Sequence, residues 1–237
     1  LLSNIAGAYT EKTSYWEVMD MGAYKKYAPE TDKVLSETAM KVFVKESIAD
    51  VAETDRDSDL TKAILALTAV GKDATKLYKE NTNTPISALS KLNAAEQSTS
   101  AWSAPYTLAV YNREEYANRE KEIALVNALL ASQGENGEWD EFGTIDTTAN
   151  AIAGLAFYMD DEDDEIKTKV EVAIGKALDY LSTQQNDNGS FSDSWSGANS
   201  NSTAMVAIAL AAAGVDIEND ARFIKNGKGI IDGLFRF

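Results

Sequence analysis

Apolar residues recur at helical spacing along almost the whole chain. Period-two alternation, the mark of a half-buried strand, is nearly absent. Two kinds of helix follow from the pattern. The first is amphipathic. Asp32–Glu53 carries a stripe of Val34, Leu35, Met40, Val42, Phe43, Val44 and Ile48 among lysines and glutamates. Asn118–Gln133 and Glu165–Gln185 read the same way. Thr84–Asn93 is a shorter version with Pro85 in its first turn, and Ala221–Phe237 closes the series. The second kind is almost wholly apolar and small. Asp59–Gly71, Asp146–Met159 and Asn201–Gly214 belong to it, with N-caps expected at Asp59 or Ser58, at Asp146, and at Asn201 or Ser202. Ser98–Tyr111, with Pro105 early, and Ser14–Tyr27 are further members. A helix without a polar face is buried on most sides.

The two kinds alternate. Apolar helices start near 14, 59, 102, 146 and 203, so the steps are 45, 43, 44 and 57 residues. A recurring supersecondary unit of this size marks a repeat architecture. Because one helix of each pair is buried all round, the pairs are expected to close into rings. The fold class is therefore all-α, an α/α toroid of up to six hairpins with inner and outer helices. The expectation is one domain over 1–237, with the last inner helix missing and the C-terminal repeat truncated.

One turn occurs twice. Gln133-Asn136-Gly137-Trp139 and Gln185-Asn188-Gly189-Phe191 share one spacing, and 185 − 133 places them 52 residues apart. Each lies between an amphipathic helix and the next apolar one. Asn-Gly supplies the positive φ of a tight reversal. The plain expectation is a joint, with the aromatic packed and the Gln satisfying helix-end groups. The alternative is a ligand-facing loop that exposes Trp139, Phe142 and Trp195. Trp195 lies outside the shared part of the turn.

Composition narrows the chemistry. Lys plus Arg number 22 against 38 Asp plus Glu, a net charge of −16, so phosphate backbones and anionic lipid are repelled. The longest apolar run, Ala204–Gly214, is too short to span a bilayer. With no Cys and no His, disulfides, Cys/His zinc sites, thiol catalysis and Ser-His triads are excluded. No metal site and no cofactor are expected. Carboxylates, hydroxyls, Lys and Tyr remain for acid–base work.

The repeated turn, followed by Thr148-Ala149 and Thr203-Ala204, resembles the repeats of the terpenoid cyclase and protein prenyltransferase superfamily. The resemblance implies an α/α toroid. More narrowly, Trp16–Tyr24, Asn83–Ala88, Ala104–Tyr111, Asn199–Val206 and Arg222–Leu234 resemble repeat domains of secreted, multidomain surface proteins of Gram-positive bacteria. That likeness implies an extracellular or cell-surface setting and further domains on a longer parent chain. The α-domain of cobalamin carriers is a more distant look-alike. In class II cyclases an Asp-rich motif at an inner helix start protonates the substrate. Here the aligned stretch is Thr144-Ile145-Asp146-Thr147-Thr148-Ala149, where Asp146 matches the middle acid and Thr stands at both flanking acids. The next repeat, Asn199 to Ala204, has no acid there. Asp146 is thus expected to be a helix cap, with general-acid work as the sharper alternative. The acidic run Asp160–Glu165 is expected to be a solvated loop that favours the next helix N-terminus.

The expected function is a non-catalytic binding or display domain for a carbohydrate or small molecule. Candidate ligand-binding residues are Trp102, Tyr106, Trp139, Phe142, Asp146, Asp193 and Trp195. The alternatives are a carboxylate-dependent enzyme, cyclase-like or polysaccharide-cleaving, with Asp146 as its catalytic candidate, and a corrinoid-type carrier. An Asp146 bonded only to backbone amides would end the cyclase reading.

Overall fold

A helix starts where a side-chain oxygen can take the amide hydrogens that the first turn leaves unpaired. The computed structural model describes residues 14–28 and 35–237. These fall into two compact units, Leu1–Gln97 and Ser98–Phe237. In the first unit, Ser14 and Glu17 form a capping box that opens α1 (Tyr15–Tyr27). Ser36 accepts from the Ala39 amide and opens α2 (Glu37–Glu53). The expected start from Asp32 to Val34 lies outside the described residues. Helix α3 (Asp57–Ala69) has its N-cap at Arg56, two or three residues earlier than expected, with no side-chain cap bond. It buries Leu60, Ala63, Ile64, Ala66 and Leu67, and packs against α1, α2 and α4 (Ala88–Ala94).

The expected helix over Thr84–Asn93 is only half right. Pro85 and Ile86 form a short strand, β2, paired antiparallel with β1 (Leu77–Tyr78), and Ser87 caps α4. A residue without an amide hydrogen is at home on such an edge.

In the second unit the row of apolar helices is α5 (Ala104–Tyr111), α7 (Ile145–Leu155) and α9 (Ser200–Ala212). The central one, α7, packs against both others. Every residue of α7 except Ala153 is buried. Helix α9 departs from the all-round burial expected of it. It has α7 and α10 (Ile230–Leu234) as its main helical neighbours, and Ile208 stays exposed. The amphipathic helices α6 (Arg119–Ser132) and α8 (Asp164–Gln184) pack against α5 and α7 respectively, and touch each other. The expected helix over Ala221–Phe237 is instead a 3-10 turn at Ala221–Phe223, a reversal pairing Lys225 with Lys228, and then α10. Asn226 (φ 51°) and Gly227 (φ 73°) make that reversal, a conformation no helix continues. The described residues are mostly helical, and no helix among them is long and apolar enough to cross a membrane.

The twin turns have one bonding scheme. The Gln133 side-chain amide donates to Gly137 O (3.0 Å) and Ala173 O (2.8 Å). The Gln185 amide donates to Gly189 O (3.1 Å) and Phe223 O (3.0 Å). The Trp139 backbone amide donates to Thr148 Oγ1 (2.9 Å), and the Phe191 amide to Thr203 Oγ1 (3.0 Å). Each turn is thus tied to the next amphipathic segment on one side and to the next apolar helix on the other. The glycines have φ of 98° and 85°. A Cβ on Gly137 would stand 2.5 Å from Lys176 O, and one on Gly189 would overlap Gly229 O.

The acidic run is not uniformly solvated. Asp163 caps α8, accepting from the Glu165 (2.9 Å) and Ile166 (3.3 Å) amides. Asp161 instead turns inward, where Arg119 grips it at 2.7 and 2.5 Å. The Arg119 guanidinium, helped by the Asp163 amide, holds the Asp161 carboxyl below the usual carboxylate range. The correction has a simple cause: an arginine 42 residues away supplies a two-pronged partner that the local sequence does not show.

Gly137→Ala and Gly189→Ala are each expected to destabilise by more than about 1–3 kcal/mol, because a strained φ and a backbone clash coincide. Urea unfolding followed by circular dichroism measures this. Arg119→Ala is expected to cost about 2 kcal/mol at neutral pH, from charged hydrogen bonds lost at a buried carboxylate. Asp161 has a depressed folded pKa, so its contribution is present above the unfolded value near 4 and is lost as pH falls below it. The gap between wild type and Arg119→Ala should therefore close in acid.

Candidate functional site

The second turn is longer than the first. From aromatic to helix threonine there are 148 − 139 = 9 steps in one copy and 203 − 191 = 12 in the other. The surplus forms a hairpin, β3 (Phe191–Asp193) against β4 (Gly197–Asn199), with Trp195 near its tip. Asp193 builds that tip. Its Oδ1 accepts from the Trp195 (2.7 Å) and Ser196 (2.5 Å) amides, and its Oδ2 from Ser196 Oγ and Asn199 Nδ2, both at 2.9 Å. The Ser196 donors first, then those of Trp195 and Asn199, hold the Asp193 carboxyl below its ordinary range. Asp193 is thereby a hairpin organiser with all its acceptor capacity directed at its own loop.

The hairpin leans on the loop of the first turn. Ser194 Oγ donates to Gly143 O, and Trp195 Nε1 to Phe142 O (3.2 Å). Phe142 in turn meets Trp102 edge-to-face at 6.4 Å and 90°. Trp102 is held through the main chain around it. Asn150 of α7 donates to Ala101 O (3.3 Å) and Trp102 O (2.7 Å), while Glu141 accepts from the Ala101 amide (2.6 Å) and Ser100 Oγ (2.7 Å). Three large rings from three loops therefore share one surface. Trp102, Phe142 and Trp195 are 42%, 55% and 82% exposed.

Trp139 does not join them. It is 1% exposed, and its indole N–H donates to Leu129 O at 2.8 Å. The candidate list is corrected here: Trp139 offers no face to a ligand, because the turn needs it as the wedge between α6 and α7. Phe191, its twin, is fully buried too.

Asp146 is also not where the pattern puts it. Thr144 caps α7, its hydroxyl accepting from the Asp146 amide at 3.2 Å. Likewise Asn199, not Asn201 or Ser202, caps α9. Asp146 thus sits inside the first turn of α7, 7% exposed. Its Oδ2 accepts from Asn201 Nδ2 at 3.3 Å, and its Oδ1 is buried with no partner. Tyr106 of α5 is near: burial, and then the Asp146 charge, push its hydroxyl pKa up. The carboxylate consequently lies between the first turns of three neighbouring helices.

No family model matches the chain, and no curated protein or solved structure does. Sequence reasoning missed Asn201 as the partner of Asp146, although a signal existed. The two occupy the same place in the repeat, two residues before Thr148 and Thr203, so packing α7 beside α9 sets them side by side. Glu141, which no spacing singles out, braces the Trp102 loop.

The two tryptophans separate joint from surface. Trp139→Ala is expected to cost about 3–5 kcal/mol. Trp195→Ala should stay within about 0.5 kcal/mol of wild type. Parallel denaturant titrations of both variants check the contrast.

Proposed function

We propose that this chain is a non-catalytic binding domain of α/α-toroid type, from a secreted or cell-surface bacterial protein, and that it takes a carbohydrate or other small molecule on the Trp102–Phe142–Trp195 surface. One observation carries the reading. The second turn makes the same joint bonds as the first, yet it is three residues longer, and the tip of the resulting hairpin, Ser194 to Ser196, takes no part in those bonds. That hairpin spends four hydrogen bonds on presenting an indole to solvent. Large rings exposed together on one face are the usual means of stacking on the flat, apolar faces of a ligand. An acidic surface without His or Cys suits a neutral or cationic ligand and disfavours phosphorylated ones.

The likeness to Gram-positive surface repeat domains supports the extracellular setting, with other domains on the parent chain. A glycan array and a small-metabolite panel, each read on wild type, Trp102→Ala and Trp195→Ala, test the function. The expected outcome is at least one ligand whose affinity drops ten-fold or more in both variants at unchanged unfolding midpoints. A ligand that ignores both substitutions would remove the aromatic surface as the site.

A second reading has one observation in its favour. Asp146 is not bonded to backbone amides, so it escapes the condition that would end general-acid chemistry. It has no second carboxylate facing it among its hydrogen-bonded partners, and acid catalysis of the cyclase kind draws on flanking acids. The binding reading is therefore preferred.

A further inference from the structure

We infer that the group recognised at this site is a protonated amine, and that its acceptor is Asp146 Oδ1. The inference rests on the binding reading above and names the chemistry of its ligand. Its starting point is an imbalance. Asp146 is 7% exposed, one oxygen has a single long bond from Asn201, and the other has none. Leaving a buried carboxylate oxygen without a donor is costly. The fold gains no cap from it, since Thr144 has that task. No lysine or arginine among the described residues pairs with it. In this unit Arg119 is engaged by Asp161 and Arg222 by Asp220, while Lys228 faces Asp232.

The neighbouring acids differ. Glu141 is saturated by Ser100 and Ala101, and Asp193 by its hairpin. Of the buried carboxylate oxygens left without a partner among the described residues, Glu138 Oε2 and Asp146 Oδ1, the second lies in the first turn of α7. An open acceptor calls for a donor, so an anion does not fit. A metal ion does not fit either: no group of three or more acidic side chains among the described residues could hold one. An ammonium group supplies N–H donors and charge together, and such bonds are about twice as strong as neutral ones. The faces of Trp102, Phe142 and Trp195 attract cations and cover an apolar body. The way in is through the two loops that lead into α7 and α9. They are joined by the exposed contacts Ser194 Oγ–Gly143 O and Trp195 Nε1–Phe142 O, which the entering ligand parts.

The amine can be carried by a sugar ring or by an alkyl chain, and the test separates them. Calorimetric titration of the whole chain uses glucosamine, N-acetylglucosamine, n-pentylamine and tetramethylammonium. Both primary amines are expected to bind, and the acetylated and tetramethylated probes at least ten-fold more weakly, since neither brings a charged N–H. Asp146→Asn, which keeps the shape and removes the charge, should erase that preference. Ile208→Ala, at an exposed position further along α9, should keep it. Tighter binding of glucosamine than of pentylamine assigns the ligand to amino sugars, and the reverse order to alkylamines. Equal affinity for glucosamine and its acetylated form, unchanged in Asp146→Asn, overturns the amine inference while the aromatic binding surface stands. Tetramethylammonium binding as tightly as the primary amines overturns the role of Oδ1 in favour of the rings alone. Failure of every amine to bind overturns the inference outright; the glycan and metabolite panel then decides the binding reading separately. Should Asp146→Asn not fold by circular dichroism, Trp195→Ala takes its place, with at least a five-fold loss of amine affinity expected and an unchanged affinity counting against the site.

Discussion

The side-chain amide of one glutamine, used twice, holds the second unit together. Gln133 and Gln185 each end an amphipathic helix, and each donates both to the turn that follows and to a carbonyl about forty residues on. A side-chain amide lodged in such a place must find acceptors, so its bonds are enforced by desolvation. The consequences run outward from there. The turn is fixed, so the aromatic after it is wedged. Its backbone amide finds a threonine hydroxyl, and that threonine sits in the first turn of the next apolar helix. Local order in the turn is thereby converted into the register of neighbouring helices.

That register creates the site without any residue being selected for it locally. Once α7 and α9 are aligned by equivalent bonds, equivalent positions face each other, and the pair that meets is Asp146 and Asn201. With Thr144 as the cap of α7, the local reason left for an acid there is the favourable field of the helix N-terminus. What is left is a carboxylate held in place by the repeat and unused by it. The aromatic side of the site has the same logic. The first copy of the turn shows how many residues a joint needs, and the second exceeds it by three, all within the hairpin that carries Trp195.

Much of this was legible in the sequence. Glycine at a positive φ and Asn before it are demands that few other residues meet, so the twin turns stand out by letter alone. The apolar character of α7 likewise announces a helix buried on all sides. Legibility failed where two local answers were about equally good. Thr144 and Asp146 are both competent caps, and the approach of the chain from the preceding loop decides between them. It failed at the C-terminal segment because Phe223, Ile224, Ile230 and Ile231 mimic a helical stripe while Asn226-Gly227 reverses the chain between them. It failed at Asp161 because a run of six acids averages to a solvated loop, and only the fold brings Arg119 to one of them. The exposure of Trp195 against the burial of Trp139 is a milder case. Both follow an amphipathic helix, but only one stands at the shared position of the turn.

The contrast between Asp161 and Asp146 sets the terms for the site. Asp146 lies in the first turn of α7 and Asp161 in the loop beyond its C-terminal end, and both side chains are mostly buried. At the C-terminal end the cost of burial is met within the chain by a guanidinium with two donors. At the N-terminal end the chain supplies one amide hydrogen at 3.3 Å and stops. The Asn of the next repeat would remove the charge from that position while leaving the Thr144 cap and the twin-turn bonds in place. The amine proposed above would supply the donor that the chain withholds, and Trp102, Phe142 and Trp195 would offer the surface for the rest of its molecule.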